Sequence, residues 1–201
     1  MKRLILLLSL LSLAPAAGAQ TTTSWAQIPD SENPYVRTPR KMAVSAELGF
    51  NSLASVIGVK GTYFVTPQFL MDAGLGLSSS GLRPGIYGRY LFSKAKLTTF
   101  VYGGLKCGLG TLGGTETVTD STTHTDYQLE TFVSPYMDYG VGLDYLAHGG
   151  FNFSTGLGWS SLLRKHNYQW VGATPPDDVA DQATFGLGSG LAFWLSFGGA
   201  F

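Results

Sequence analysis

Between residue 41 and the end of the chain, large apolar side chains recur at every second position in eight separate runs. A period of two sends successive side chains to opposite faces of a strand, so each run predicts a β-strand. The last run is the longest: one face carries mainly Phe and Leu, and the other mainly Gly, Ala and Ser. The predicted strands cover about residues 42–50, 57–65, 69–77, 85–92, 97–107, 133–145, 151–160 and 185–201.

The links between the runs alternate in length. Those after the second, fourth and sixth runs are tight turns, whereas the others are generally longer, and the two longest cover residues 110–129 and 164–182. Short turns at one end and long loops at the other are typical of a membrane-spanning antiparallel barrel. The predicted fold is therefore all-β, an eight-stranded antiparallel up-and-down transmembrane β-barrel with both chain ends on its short-turn side.

The alternation alone also fits a soluble eight-stranded barrel of the lipocalin or streptavidin type, whose apolar face points inward. The second face of such a barrel meets water and needs many charges, but here it is mainly Gly, Ser and Ala. Aromatic residues also lie near the strand ends, as in the two interfacial girdles of a membrane barrel. They are Phe50, Tyr63, Phe69, Tyr90, Phe92, Tyr145, Phe151, Phe153, Trp159, Phe197 and Phe201.

The few charges within the runs all lie on the face opposite the apolar residues. A Lys or Arg facing lipid costs about 2–4 kcal/mol at the bilayer midplane, so these side chains are predicted to face the lumen. Four acids and three bases can largely neutralise one another there, as buried charges require. This predicted lumen charge network consists of Glu47, Lys60, Asp72, Arg89, Lys106, Asp138 and Asp144.

The first residues have the pattern of an export signal. A basic start at Lys2 and Arg3 precedes about ten apolar residues and a small-x-small cleavage site at residues 17–19. The apolar stretch is too short to span a bilayer as a helix, so residues 1–19 are predicted to be a cleaved signal peptide. Residues 20–40 are polar, contain three prolines and show no period, which favours a periplasmic tail over the alternative of a plug in the barrel mouth. The barrel is then formed by residues 41–201.

Composition narrows the class of function further. The chain has 27 Gly and equal numbers of basic and acidic residues, 13 each, so it has no basic excess for binding nucleic acid. Its single cysteine, Cys107, cannot form a disulfide within the chain. An exported domain of this size without disulfides needs another source of stability, and strand closure provides it.

Taken together, the signal peptide, the eight alternating strands, the short-turn and long-loop asymmetry and the terminal Phe201 resemble the small outer-membrane β-barrel proteins of Gram-negative-type bacteria (OmpX, OmpW and the OmpA membrane domain). The resemblance implies a location in the bacterial outer membrane and contact with outer-membrane lipid. It also implies that the last strand is the signal read by the outer-membrane assembly machinery. Gly199 departs from the pattern, being small where the family usually has a larger apolar residue. The positions that match the signal are Phe193, Leu195, Phe197 and Phe201.

Three classes of function remain. An enzyme is not indicated, because the three histidines fall in loops or turns and none pairs with a Ser two positions away on a strand face. No His, Cys or Asp cluster has ligand spacing, so neither a metal nor another cofactor is predicted. An open channel is not expected either, since an eight-stranded barrel is about filled by its own side chains, with Tyr87, Tyr102 and Trp194 pointing inward. A narrow path for a small or apolar solute stays open as the alternative.

A structural or surface-interaction role is preferred, because loops carry function on rigid scaffolds. An extracellular partner would then meet the loops at residues 110–129 and 164–182. The Thr-rich part of the first loop either extends its hairpin as a protruding sheet edge, able to pair with a partner, or is a solvated loop. The sequence does not decide between the two.

Overall fold

The computed structural model describes residues 36–53, 56–78, 81–111, 114–120 and 122–201, so the predicted signal peptide and residues 20–35 lie outside it. In chain order the described elements are β1 (Met42–Phe50), β2 (Ile57–Phe64), β3 (Phe69–Ser78), β4 (Gly81–Leu91), β5 (Leu97–Gly108), β6 (Glu116–Thr119), β7 (Asp126–Thr131), β8 (Ser134–Leu146), β9 (Phe151–Leu162), β10 (Tyr168–Val171), α1 (Asp177–Leu187) and β11 (Gly190–Ala200). Eight of these strands close a barrel in the order β1-β11-β9-β8-β5-β4-β3-β2.

The barrel closes where the first strand meets the last. β1 and β11 pair antiparallel over eight positions, the last being Phe50 opposite Phe193. Beyond the pairing, Phe201 donates its backbone N–H to Met42 O at 2.8 Å, and Phe201 O accepts from Met42 N at 3.0 Å. Neither strand keeps an open edge. The predicted all-β, eight-stranded antiparallel barrel is confirmed.

The two ends of the barrel differ. At the short-turn end lie both ends of the barrel chain and the turns that join β2 to β3, β4 to β5 and β8 to β9. At the long-loop end lie the links from β1 to β2, β3 to β4, β5 to β8 and β9 to β11. The predicted alternation of lengths fails at one link, since β3 ends at Ser78 and β4 already begins at Gly81; the links from β5 to β8 and from β9 to β11 are the long ones, as predicted.

Large apolar side chains cover the outside of the barrel. Val44, Ile86 and Val141 are 55%, 55% and 57% exposed, whereas their neighbours of opposite parity point inward. Such an apolar belt is favourable against lipid and costly against water. Among the aromatics predicted for the girdles, the long-loop end presents Phe50 and Trp159. The short-turn end has a denser ring: Tyr63, Phe69, Tyr90, Phe92, Tyr145, Phe151, Phe197 and Phe201.

The two longest links fold into a cap at the long-loop end. β10, β7 and β6 form a three-stranded antiparallel sheet, so β6 and β7 pair as in the hairpin alternative rather than forming a solvated loop. In α1, Val179, Ala183 and Leu187 are buried, and their spacing of four places them on one helix face. Ala183 and Leu187 form an apolar cluster with Leu129 of β7. Within the described ranges, no helix is both long and apolar enough to cross a membrane.

The predicted start of the last strand is wrong. β11 begins at Gly190 rather than at residue 185, because Phe185 and Leu187 belong to α1. The local sequence F-G-L-G has a period of two and therefore predicts a strand, although it forms the end of the helix. The acidic first turn at Asp177 and Asp178 is the competing signal, since negative charge at a helix N-terminus is favourable.

Candidate functional site

The structure places all seven side chains of the predicted lumen charge network inside the barrel, each no more than 2% exposed. Two further bases, Arg37 and Arg83, are buried with them. The nine charges form three groups along the barrel. From the short-turn end to the long-loop end, the groups are Arg37, Asp72, Arg89 and Asp144; then Glu47 and Lys60; then Arg83, Lys106 and Asp138.

In the short-turn group, one guanidinium joins two carboxylates. Arg89 binds Asp72 twice, from Nε to Oδ2 at 2.5 Å and from Nη2 to Oδ1 at 2.8 Å. Its Nη1 also reaches Asp144 Oδ2 at 2.9 Å. Thr62 donates its hydroxyl to Asp72 Oδ1 at 2.6 Å. A bidentate pair with additional donors compensates the cost of removing these charges from water.

Arg37 completes this group from outside the strands. Its Nη1 lies 2.7 Å from Asp144 Oδ1, and its Nε and Nη2 donate to the backbone carbonyls of Ala95 and Lys96, both at 3.2 Å. Arg37 is fully buried, and Val36 is 3% exposed. Residues 36 and 37 therefore form a small plug in the short-turn mouth, unlike the tail expected for residues 20–40, of which residues 20–35 lie outside the described ranges. A single inserted side chain leaves no periodic pattern along the chain, so no signal in the sequence indicates it.

The central group is an ion pair that rests on an aromatic ring. Lys60 Nζ lies 3.1 Å from Glu47 Oε2 and 4.2 Å from the ring centroid of Trp194. Both charged side chains are buried. The indole therefore stabilises the ammonium by a cation–π interaction in addition to the salt bridge.

Four aromatic side chains, Tyr87, Phe100, Tyr102 and Trp194, pack against one another across the lumen; we call them the aromatic layer. None is more than 5% exposed. The ring centroids lie 5.6 Å apart between Tyr87 and Tyr102, and 5.9 Å apart between Phe100 and Trp194. Tyr102 and Trp194 meet edge to face at 6.2 Å. These separations are those of favourable aromatic pairs, so the layer is a packed part of the core.

Glycines on the inner face make room for the aromatic layer. A Cβ at Gly156 would lie 2.5 Å from Trp194 Cε2, and a Cβ at Gly142 would overlap the ring of Phe100. Cross-strand register explains the fit, because each aromatic residue stands directly opposite a glycine. The pairs are Tyr87 with Gly104, Phe100 with Gly142, Tyr102 with Gly140, and Trp194 with Gly156.

The long-loop group joins the barrel to its first loop. Lys106 Nζ lies 2.8 Å from Asp138 Oδ2 and donates to the backbone carbonyl of Asn51 at 2.5 Å. Tyr87 donates its hydroxyl to the same Asp138 oxygen. The carboxylate thus links this group to the aromatic layer below it.

Arg83 is a lumen residue that lies outside the predicted strands. It is 1% exposed, and its guanidinium carbon lies 5.0 Å from the ring centroid of Tyr136. Residues 78–84 lie between two predicted strands and are therefore predicted to form a loop, and Pro84 has no N–H for a strand ladder. β4 in fact begins at Gly81 and includes the proline. Arg83 has the parity of Arg89, so extending the count through Pro84 would have found it.

The long-loop mouth is closed from above by loop and helix residues. Leu53 is 1% exposed and packs at two inner-face glycines of β3 and β4. The last carbonyl of α1, Leu187 O, accepts hydrogen bonds from Tyr136 Oη and Asn167 Nδ2, both at 2.6 Å. Because Tyr136 is an inward-facing residue of β8, these bonds fix the end of α1 over the lumen.

The hairpin of the cap turns at an acidic residue. Asp120 Oδ2 accepts the hydroxyl of Thr123 at 2.6 Å, and its Oδ1 accepts the backbone N–H of Thr122 at 2.7 Å. These hydrogen bonds hold the pKa of the Asp120 carboxyl below its ordinary value of 3.8. The ionised carboxylate therefore stabilises this turn.

The four residues predicted to carry the assembly signal lie on the outside of β11 and just after it. Phe193, Phe197 and Phe201 are 42%, 43% and 60% exposed, and Leu195 is half-buried. Their reading by an assembly machinery stays a prediction. An assembly factor that binds this strand would contact its exposed outer face.

Other chemistry has little geometric support. Within the described ranges, no three His, Cys, Asp or Glu side chains are grouped to hold a metal ion. His124 and His166 are exposed in the cap, whereas His148 lies in the turn between β8 and β9 at the opposite end. The length of the barrel therefore separates His148 from the other two histidines.

Comparisons with known proteins bear on the fold. No protein-family model matches the chain, and no curated protein matches it. The structure resembles the N-terminal β-barrel domain of OprF from Pseudomonas aeruginosa, with 16% identity, 80% of this chain and 96% of that chain covered, and a TM-score of 0.50. A weaker likeness is to CarO from Acinetobacter baumannii, with 10% identity, 85% and 100% covered, and a TM-score of 0.36. The closed barrel and the likeness to the OprF domain give this chain the fold of the small eight-stranded outer-membrane β-barrels.

Proposed function

We propose that the protein is a non-enzymatic integral protein of the bacterial outer membrane whose lumen is filled by its own side chains. Its role is structural or surface-interacting: the barrel holds the cap at the cell surface, where the cap meets an extracellular partner. The observation that carries the proposal is the aromatic layer, which crosses the lumen between two groups of paired charges.

The energetics of opening support a sealed lumen. An eight-stranded barrel encloses about enough space for its own side chains. A solute would have to displace at least one ring of the aromatic layer, and a buried aromatic side chain contributes about 3–5 kcal/mol to stability. It would also have to separate Arg89 from Asp72, whose contacts are as short as 2.5 Å.

The apolar outside and the pattern of the first nineteen residues support the membrane location. With both ends of the barrel chain on the periplasmic side, the cap faces outward. The outer edges of β6 and β10 have no neighbouring strand within the described residues, so an extended partner segment would add to either edge.

Conductance across a planar bilayer tests the sealed lumen. We expect refolded wild-type protein to give no steady single-channel steps. The double variant Trp194→Ala and Tyr102→Ala removes two rings of the aromatic layer and is expected to conduct if it folds, which shows that the assay detects opening. Steady steps from the wild type would refute the sealed lumen.

Trypsin treatment of intact cells tests location and orientation together. Lys165 is exposed in the cap, and Lys96 is exposed in a turn at the other end. We expect cleavage at Lys165 but not at Lys96 until the cells are broken. Cleavage at Lys96 in intact cells would reverse the orientation, and recovery of the protein in the soluble periplasmic fraction would contradict membrane insertion.

A narrow path for a small polar solute is the second candidate, and one observation favours it. The hydroxyls of Ser45, Ser154, Ser160 and Ser196 are buried without a hydrogen-bond partner among the described residues. Buried hydroxyls of this kind are usually satisfied by water. Because these serines lie on β1, β9 and β11, they form a polar seam on one side of the lumen.

Osmotic swelling of proteoliposomes separates the second candidate from the first. A polar seam that conducts would let small solutes such as glycerol enter faster than into protein-free vesicles. Ser154→Val would slow that entry, whereas Thr99→Val on the outside of β5 would not. Equal rates of solute entry with and without the wild-type protein would exclude the narrow path and support the sealed lumen.

A further inference from the structure

The last turn of α1 lies across the rim of the barrel. Leu187 packs its side chain into the apolar cluster of the cap, and its carbonyl accepts hydrogen bonds from Tyr136, an inward-facing barrel residue, and from Asn167. Phe185, two residues earlier, points the other way: it is 72% exposed and stacks on Phe50, with ring centroids 5.1 Å apart and planes at 26°. One helix turn thus contacts both the inside and the outside of the barrel.

The ring under Phe185 belongs to the apolar outside of the barrel. Phe50 is the last residue of β1 and stands opposite Phe193 of β11, and both are exposed on the outer face. Val56, in the link between β1 and β2, is 62% exposed beside them, since its carbonyl accepts the N–H of Gly49. Phe185 therefore continues the apolar belt beyond the end of the strand.

The rest of the outward side of α1 is not apolar. Asp177, Asp178 and Asp181 are exposed along it, so Phe185 is its one large apolar residue among the described side chains. A single exposed Phe is common on protein surfaces, but this one stacks on Phe50 at the edge of the apolar belt. At the level of the lipid headgroups, where aromatic residues of membrane proteins gather, it is favourable.

We propose that Phe185, together with Phe50 and Val56, anchors the cap to the lipid interface of the membrane. The proposal rests on the proposed function, since it requires the barrel to lie in a bilayer. The lipid surface fits this patch because the patch is continuous with the belt that lipid covers. The anchor also assists closure of the lumen, because the same helix turn holds Leu187 over the mouth.

Quenching by lipids that are brominated near the headgroup tests the anchor while keeping an aromatic ring. Three variants are compared in proteoliposomes after their folding is checked by heat-modifiable gel mobility: Phe185→Trp, Leu191→Trp on the outer face of β11, and Asp181→Trp on the acidic side of α1. The fluorescence added by the new Trp is the signal. We expect strong loss at positions 185 and 191, which both lie near the level of the headgroups, and little loss at 181.

The three positions separate the failures. If position 191 is not quenched, the barrel does not lie in the bilayer and the proposed function fails. If 191 is quenched but 185 behaves like 181, the barrel is inserted and the anchor is wrong. Should Phe185→Trp not fold, a spin label is attached instead to Phe185→Cys or Asp181→Cys in a Cys107→Ser background. The ratio of oxygen access to nickel-chelate access is expected to be higher at position 185 than at position 181.

Discussion

Replacing Arg37 by Met should destabilise the barrel although Arg37 belongs to none of its strands. The substitution removes the contact of 2.7 Å with Asp144 and the hydrogen bonds to the carbonyls of Ala95 and Lys96. Loss of one partner of a buried ion pair costs about 3–5 kcal/mol. Asp144 keeps Arg89 at 2.9 Å, and the two carbonyls lie at the barrel end within reach of water, so we expect the low end, about 3 kcal/mol.

Urea or guanidinium unfolding of protein refolded in lipid vesicles measures this change, with gel mobility and tryptophan fluorescence as independent probes. Lys96→Met is the matched control, since it removes one exposed positive charge at the same end of the barrel and should change the free energy of unfolding by less than about 0.5 kcal/mol. A double-mutant cycle with Asp144→Asn isolates the pair. If Arg37→Met were no more destabilising than Lys96→Met, the plug formed by residues 36 and 37 would not contribute to the stability of the barrel.

Three further predictions concern the aromatic layer, the turn of the cap and the end of the last strand. Gly156→Val should destabilise the barrel by about 3 kcal/mol or prevent folding, because its Cβ would lie 2.5 Å from Trp194, whereas Gly199→Val on the open outer face should fold normally in the same refolding assay. Asp120 stabilises the cap turn above pH 3.8, and this stabilisation should be lost as the pH falls through the lower pKa that the carboxyl has in the folded protein. Faster hydrogen exchange of the amides in β6 and β7 at low pH should show the loss. In the Asp120→Ala variant these amides should already exchange fast at pH 7. Deleting Phe201 should lower the amount of barrel in the outer membrane more than it lowers the stability of refolded protein, and normal levels in cell fractions would contradict the assembly signal.

The barrel could be predicted from the sequence because its two faces meet different surroundings. A strand between lipid and a narrow lumen must alternate, and every buried charge must share the inward parity, as Glu47 and Asp144 do. Each strand carries this information within itself. Eight strands and their faces therefore follow from local pattern alone.

The cap and the plug depend on contacts that no local pattern records. Arg37 is positioned by Asp144, more than a hundred residues away, and its own neighbours are irregular. Arg83 lies outside the predicted strand because the proline that follows it, Pro84, is unusual within a strand. In α1 two periods compete, since Val179, Ala183 and Leu187 recur at four while Phe185 and Leu187 recur at two. Burial against the three-stranded sheet decides for the helix.

The opposition of glycine and aromatic residues in the lumen also sets the alignment of the strands. In the observed register, Phe100 and Tyr102 of β5 face Gly142 and Gly140 of β8. Moving β8 by one residue would turn its whole apolar face inward. Moving it by two in either direction would keep one aromatic opposite a glycine but bring the other opposite Asp138 or Asp144, which would break an ion pair. The residues that fill the lumen therefore also select one register, so a wider lumen requires removing the rings rather than sliding the strands.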